Sequence, residues 1–427
     1  MKKIIDALNS SKLVSAWKII KEEVKSCELF YVLNKLENNR ATDITTYYVT
    51  IYRDQDDMRG SSTITIYPYM DEEMIREKIK EGAESAILAL NPFYEIPSPE
   101  KANVSEIKSN LADKPFIEVI EEVKNAVFKA NHFKNGYLSA TEFFLYETER
   151  EIVNSKGVDV KSKTYKGNVE LIPSWEEGDE EVEIYHMMEF STVNEEQITK
   201  DVEGVLELAK ARFEAKKYNG PSNINVIIEN EEVCQVVNEF ASDLSYGAKY
   251  MHSNIFELGD LVQGDDVKGD KLSVDLVPTY ENAINSVAVD DDGVVLKPIT
   301  IIKDGIAINN HGSFRYGYYL KVNEPTGLLP VMVVAPGKVS VSEMKKKPYV
   351  RCVKLSGLQV DLNSGYFGGE VRLGFYFDGE KEIPVTGFSI SGDLKKEAAD
   401  LTLSIEEVTL PSYHGPKYML VKGMTIA

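Results

Sequence analysis

The chain has 427 residues, more than one ordinary core holds, and 43% apolar with 27% charged residues is the composition of a globular protein. Its net charge of −21 repels phosphate and so argues against nucleic acid or anionic membrane as partners. Three scattered cysteines, Cys27, Cys234 and Cys352, make neither a disulfide framework nor a CxxC ribbon. No run of about 18 apolar residues suits a membrane span, and polar residues from Asp6 to Lys12 interrupt any signal-peptide core, so a cytoplasmic location is expected.

In chain order, Leu13, Val14, Trp17, Ile20 and Val24 recur at helical spacing and predict a helix over Leu13–Val24. Leu29–Leu36 and Ile44–Tyr52 read as strands joined by a turn at Asn38-Asn39-Arg40, with a third strand at Ser62–Tyr67. Asp71 caps a helix whose first turn carries Glu72 and Glu73 and which runs to about Leu90. Lys114–Ala130 is a further helix. Tyr137–Val153 and Val158–Leu171 pair across a turn at Asn154-Ser155-Lys156-Gly157. The acidic Glu176–Glu183 run reads as a solvated loop, Val182–Phe190 as a strand and Asn194–Lys217 as a long helix.

Tyr218-Asn219-Gly220-Pro221 breaks that helix and marks a boundary between domains 1–219 and 220–427. Beyond it, short strands alternate with turns at Asp292-Gly293, Asp304-Gly305, Ser364-Gly365 and Asp378-Gly379. The expected fold class is α+β: an N-terminal mixed α/β domain with antiparallel strands, then a mainly antiparallel β sandwich or barrel-like domain. One helix stands out in the second half. After the strand Asn225–Glu229 and a cap at Asn230, apolar residues Val233, Val236, Val237, Phe240, Ala241 and Leu244 form one stripe, and Gly247 ends the element.

Several segments resemble the TldD/PmbA family, also known as the modulator-of-gyrase family. In the first half these are Met58-Arg59-Gly60-Ser61-Ser62, the Asp71-Glu72-Glu73 helix start and the Asn154-Ser155-Lys156-Gly157 turn. In the second half they are Pro325-Thr326, Pro336-Gly337, Ser342-Glu343, Gly374–Glu380, Ile383-Pro384-Val385, Ile390–Leu394 and Val421–Ile426. The resemblance implies a metallopeptidase scaffold acting in proteolysis on peptide or unfolded substrates. In TldD-type members it implies a His-Glu-x-x-x-His helix, with a C-terminal Cys as a further zinc ligand.

Laid on this sequence, that helix falls at Val233–Leu244, and its nearest match is Asn238-Glu239-Phe240-Ala241-Ser242-Asp243. The five histidines are His132, His186, His252, His311 and His414, so none lies on the helix, and Glu406–Ala427 holds no Cys. The departure resembles the TldE/PmbA type, a partner subunit without metal ligands. No cofactor is then expected, zinc belonging to catalytic relatives, and a homodimer or a heterodimer with a TldD-like subunit is implied. The alternative is an active metallopeptidase with a divergent site. Its candidate base is Glu239, and its weak metal candidates are Asp243, His252, His311 and His414, the last lying near where TldD-type members place their Cys. Cys234 lies beside the apolar stripe with no sequence-near His and reads as a core or semi-buried cysteine. The Asp290-Asp291-Asp292-Gly293 segment lacks EF-hand spacing and reads as a turn.

Overall fold

Long strands folding back on one another make the first half. The computed structural model describes residues 1–100 and 107–427. Met58–Ile66, Lys35–Gln55, Ala16–Val32, Gly136–Asn154 and Asp159–Glu177 are successive antiparallel neighbours in an eight-stranded sheet. Strands show their side chains to the two faces in turn. On one face Trp17, Ile19, Val49 and Ile51 meet helices Lys2–Ser10 and Glu72–Ala86. Further along, Leu29, Phe143 and Leu171 meet helices Phe116–Lys129 and Glu195–Glu214. Asp71 caps its helix by accepting the Met74 N–H at 2.9 Å.

Four local expectations fail here for identifiable reasons. Leu13–Val24 is largely strand rather than helix. Trp17 and Ile19 bury on the helix side and Ile20 on the other, and covering both faces blurs a period of two into something like a helical one. The first hairpin turns at Leu33-Asn34, Leu33 having φ +54°, and not at Asn38-Asn39-Arg40. The latter residues stay in register opposite Glu28–Phe30, where Arg40 donates to Glu28 at 2.7 Å. The acidic Glu176–Glu183 run is no loop but a tight hairpin about Gly178, its glutamates pairing strand to strand at the sheet edge. The Val182–Phe190 strand is correspondingly split into Glu180–Glu183 and His186–Phe190. The Asn154–Gly157 turn forms as read: Gly157 has φ +95°, and buried Asn154 accepts the Lys156 and Val158 N–H groups.

The second half is built around a closed circuit of strands. Asn223–Glu229 pairs with Tyr418–Ile426 and Tyr349–Val360; these lead through Phe388–Asp393 and Tyr366–Phe377, which pair with each other. Five strands thus close into a small barrel. Glu382–Thr386 and Lys216–Lys217 extend it at its rim. A separate six-stranded sheet contains Val274–Val277, Val331–Val334 and Tyr413–Pro416. One core cluster joins Val226, Val350, Phe367 and Val421 of the barrel to Val274, Met332 and Tyr413 of that sheet. Among the described residues no helix is long and apolar enough to cross a membrane.

Candidate functional site

The helix Glu231–Asp243 lies within that shared core. Val233, Val236, Val237, Phe240, Ala241 and Leu244 are all buried, as the spacing requires. The strand before it becomes helix through a single residue, Asn230, at φ +54° and ψ −115°. Asn tolerates positive φ better than most residues. Its side chain makes no capping hydrogen bond, contrary to the expected cap. Gly247 does not end the element either: the helix stops at Asp243, and Gly247 lies inside the short helix Tyr246–Tyr250.

The polar residues of this helix have separate tasks. Asn238 and Ser242 are exposed, and Glu239 is half-buried, its carboxyl pushed up by burial and then by the Asp361 carboxylate. Asp243 is 9% exposed, and its two oxygens accept the Ile255 N–H at 2.7 Å and the Phe256 N–H at 2.9 Å. That carboxylate is a loop anchor. At the first turn, Glu229 pairs with Arg351 at 3.0 Å, while burial, with Glu231 and Glu229 beyond it, pushes Glu232 up to about 7. Cys234 is half-buried against the core, and burial pushes its thiol up to about 12, which leaves it protonated at neutral pH.

The three histidine candidates lie in different surroundings. His311 is tied to the helix end: its Nε2 bonds the Ala241 carbonyl at 2.9 Å, its N–H donates to the Leu244 carbonyl and its carbonyl accepts the Tyr246 N–H. Burial pushes that imidazole down. His252 sits exposed at φ +54° in the turn after Tyr246–Tyr250. His414 belongs to the hairpin Glu407–Leu410/Tyr413–Pro416, where it stacks on Tyr280 at 4.1 Å, shares a hydrogen bond with Thr409 and meets Glu407 at 3.3 Å. Among the described residues no three His, Cys, Asp or Glu side chains converge as metal ligands. The donor set does not fit a zinc ion: the helix offers no imidazole, Asp243 has both oxygens engaged, and Glu239 has an acid and no base for company.

The two halves meet along a polar seam that the sequence did not reveal. Lys18 binds Asp292 at 2.7 Å and Arg150 binds Asp291 at 2.7 Å. Lys18, Arg150 and Asp291, together with Ile20, Glu22 and Thr50, line a cleft of about 400 Å³ on the sheet face opposite the helices. Asp290 is buried and accepts the Asp292, Val294 and Leu328 N–H groups, so this acidic segment is an internally bonded turn, as its spacing suggested. Further along, Tyr319 donates to the Pro92 carbonyl at 2.6 Å, and Tyr94 packs edge-on against Tyr319 at 5.8 Å. The only signal of this contact in the sequence is the density of tyrosine in Arg315-Tyr316-Gly317-Tyr318-Tyr319.

Comparison with known proteins agrees with this architecture. Residues 221–427 match the family described as PmbA/TldA metallopeptidase C-terminal domain. No curated protein matches the sequence. The structure of TldE from Thermococcus kodakarensis superposes with a TM-score of 0.81 at 15% identity, covering 100% of this chain and 99% of that one. A candidate modulator of DNA gyrase from Thermotoga maritima gives 0.76 at 17% identity, with 100% of both chains covered. Another from Bacteroides thetaiotaomicron gives 0.79 at 14% identity, covering 100% of this chain and 97% of that one. Residues 221–427 thus belong to the PmbA/TldA metallopeptidase C-terminal domain family, and the whole chain has the TldE-like fold.

Proposed function

We propose that this chain is a non-catalytic TldE/PmbA-like subunit, with domains 1–219 and 220–427, that acts in the cytoplasm. It pairs with a zinc protease subunit of the TldD type, or with itself, and helps enclose unfolded or peptide substrates. One observation carries the reading: the helix matching the family's zinc motif has Asn238 and Asp243 where imidazoles would be needed, and Asp243 is committed to the Ile255 and Phe256 amides. A carboxylate held by two backbone donors has little left for a cation, and a single further carboxylate does not make a tetrahedral site. Extended strand edges offer a route for taking up a peptide by main-chain pairing.

The test is a proteolysis assay on an unfolded protein, run on the chain alone and mixed with a TldD-like subunit, each with and without chelator. Cleavage is expected only in the mixture, and only without chelator. Chelator-sensitive cleavage by the chain alone, together with stoichiometric zinc in the purified protein, would overturn the reading in favour of a divergent metal site.

A further inference from the structure

Two arginines flank Tyr94 at the seam, and their surroundings differ in kind. Arg59 is 4% exposed and fully spent: it grips Asp54 at 2.6 and 2.9 Å, donates to the Tyr94 carbonyl at 2.6 Å and stacks on Phe93 at 4.3 Å. Arg59 is structural. Arg315 is half-buried, with its guanidinium carbon 5.1 Å from the ring centre of Tyr94, 5.6 Å from Tyr316 and 5.5 Å from Tyr319. Its Nε–H donates to the Tyr319 hydroxyl at 3.2 Å, and that hydroxyl is itself fixed on the Pro92 carbonyl. A guanidinium carries five N–H donors in a rigid fork. The four on Nη1 and Nη2 have no partner among the described residues, and neither nitrogen is among the buried unsatisfied atoms.

An unpaired arginine is unexpected here. The chain carries 69 acidic against 48 basic residues, so carboxylates are plentiful. Asp292, whose charge also reaches Tyr52 and Tyr94, is taken by Lys18 at 2.7 Å. Three tyrosine rings and one hydroxyl hold the fork in place before any ligand arrives, which lowers the ordering cost of binding. An apolar surface lies alongside: Tyr318, 37% exposed, packs on Phe93 with ring centres 6.4 Å apart. Tyr250, in the short helix that follows the motif helix, stacks on Tyr319 at 4.8 Å, which joins the cluster to the family's catalytic region.

We infer that Arg315, held among Tyr94, Tyr316 and Tyr319, is a carboxylate-binding site for peptide ligands, the Tyr318–Phe93 surface taking the adjoining apolar side chain. A planar carboxylate matches the fork in bidentate geometry. The strongly negative chain as a whole disfavours a polyanion but not a single carboxylate on an otherwise neutral peptide. The inference rests on the peptide-handling function proposed above and names the ligand group recognised. The carboxylate comes from a peptide C-terminus or from an Asp or Glu side chain.

The test is calorimetric titration of the full chain with a short neutral unstructured peptide in three forms: free acid, C-terminal amide, and amide with one internal Glu. Wild type is compared with Arg315→Met and with Arg315→Lys, which keeps the charge but loses the fork, and circular dichroism verifies the fold of each. Losing a bonded charged pair is expected to weaken carboxylate-bearing peptides about tenfold or more in Arg315→Met, less in Arg315→Lys, and to leave the plain amide unchanged. Preference for the free acid over the internal Glu assigns the site to chain ends, and the reverse assigns it to acidic side chains. Binding of all three forms with equal affinity by wild type and both variants overturns the carboxylate site while leaving peptide handling intact. No binding of any form by wild type overturns both.

Discussion

Replacing Asp243 with Ala tests whether this carboxylate is a structural anchor or a remnant metal ligand. It is 9% exposed and receives two backbone donors, at 2.7 and 2.9 Å. A hydrogen bond to a charged group contributes about 1.5–3 kcal/mol, and the orphaned N–H groups cost more where water cannot reach them. Because Ile255 is itself 39% exposed, water recovers part of the loss, and a net local cost of about 3 kcal/mol is expected for Asp243→Ala. Asp243→Asn retains one acceptor and is expected to cost about half as much. Hydrogen exchange reads the effect directly, because local opening sets the exchange rate of the Ile255 and Phe256 amides. A cost of 3 kcal/mol lowers their protection by roughly a hundredfold. Unchanged protection at both amides in Asp243→Ala, with a changed zinc content, would refute the anchor role and restore the metal-ligand one.

Three further outcomes are expected. Glu232 has a folded-state value near 7 against an ordinary 4.5, so its ionisation destabilises the fold as pH rises through that window and the cost is complete above about 7. Glu232→Gln is therefore expected to be more stable than wild type by roughly 2 kcal/mol at pH 8 and equal to it near pH 4, as read by urea unfolding; a pH-independent difference contradicts this. His186 works in the opposite sense: burial and Lys354 push it down to about 4 from 6.5, so stability is lost as pH falls from 6.5 toward 4, and His186→Gln should flatten that loss in the same melts. Gly337→Ala places a Cβ 2.0 Å from the Leu403 carbonyl oxygen, and a cost of about 3 kcal/mol or more is expected in thermal unfolding; wild-type stability would show that the backbone yields there.

The elements legible in the sequence are those whose signals were local. The stripe from Val233 to Leu244 is buried residue for residue, because one helix face meets a continuous core. Asp71 and the Asn154–Gly157 turn carry their own hydrogen-bond chemistry and form as read. Where both faces of a strand are covered, as at Trp17 to Ile20, periodicity loses its meaning. Barrel closure was equally illegible, since it rests on pairings such as Asn223–Glu229 with Tyr418–Ile426, which join the first strand of the second half to its last. For the site, the missing imidazoles were plain from where the five histidines fall, none of them on the Val233–Leu244 helix. The commitment of Asp243 and the unpaired fork of Arg315 were not, because each depends on groups brought together only by tertiary contact.

The order of strands around the barrel constrains how the protein is made. Tyr418–Ile426 lies between Asn223–Glu229 and Phe388–Asp393, so the ring stays open until that strand has left the ribosome. The first sheet, by contrast, has all its strands by Phe190 and can fold during synthesis. A nascent chain stalled short of residue 418 would carry a finished first half and a second half with two bare strand edges lined by Val226 and Ile390, the form most exposed to aggregation and to quality-control proteases.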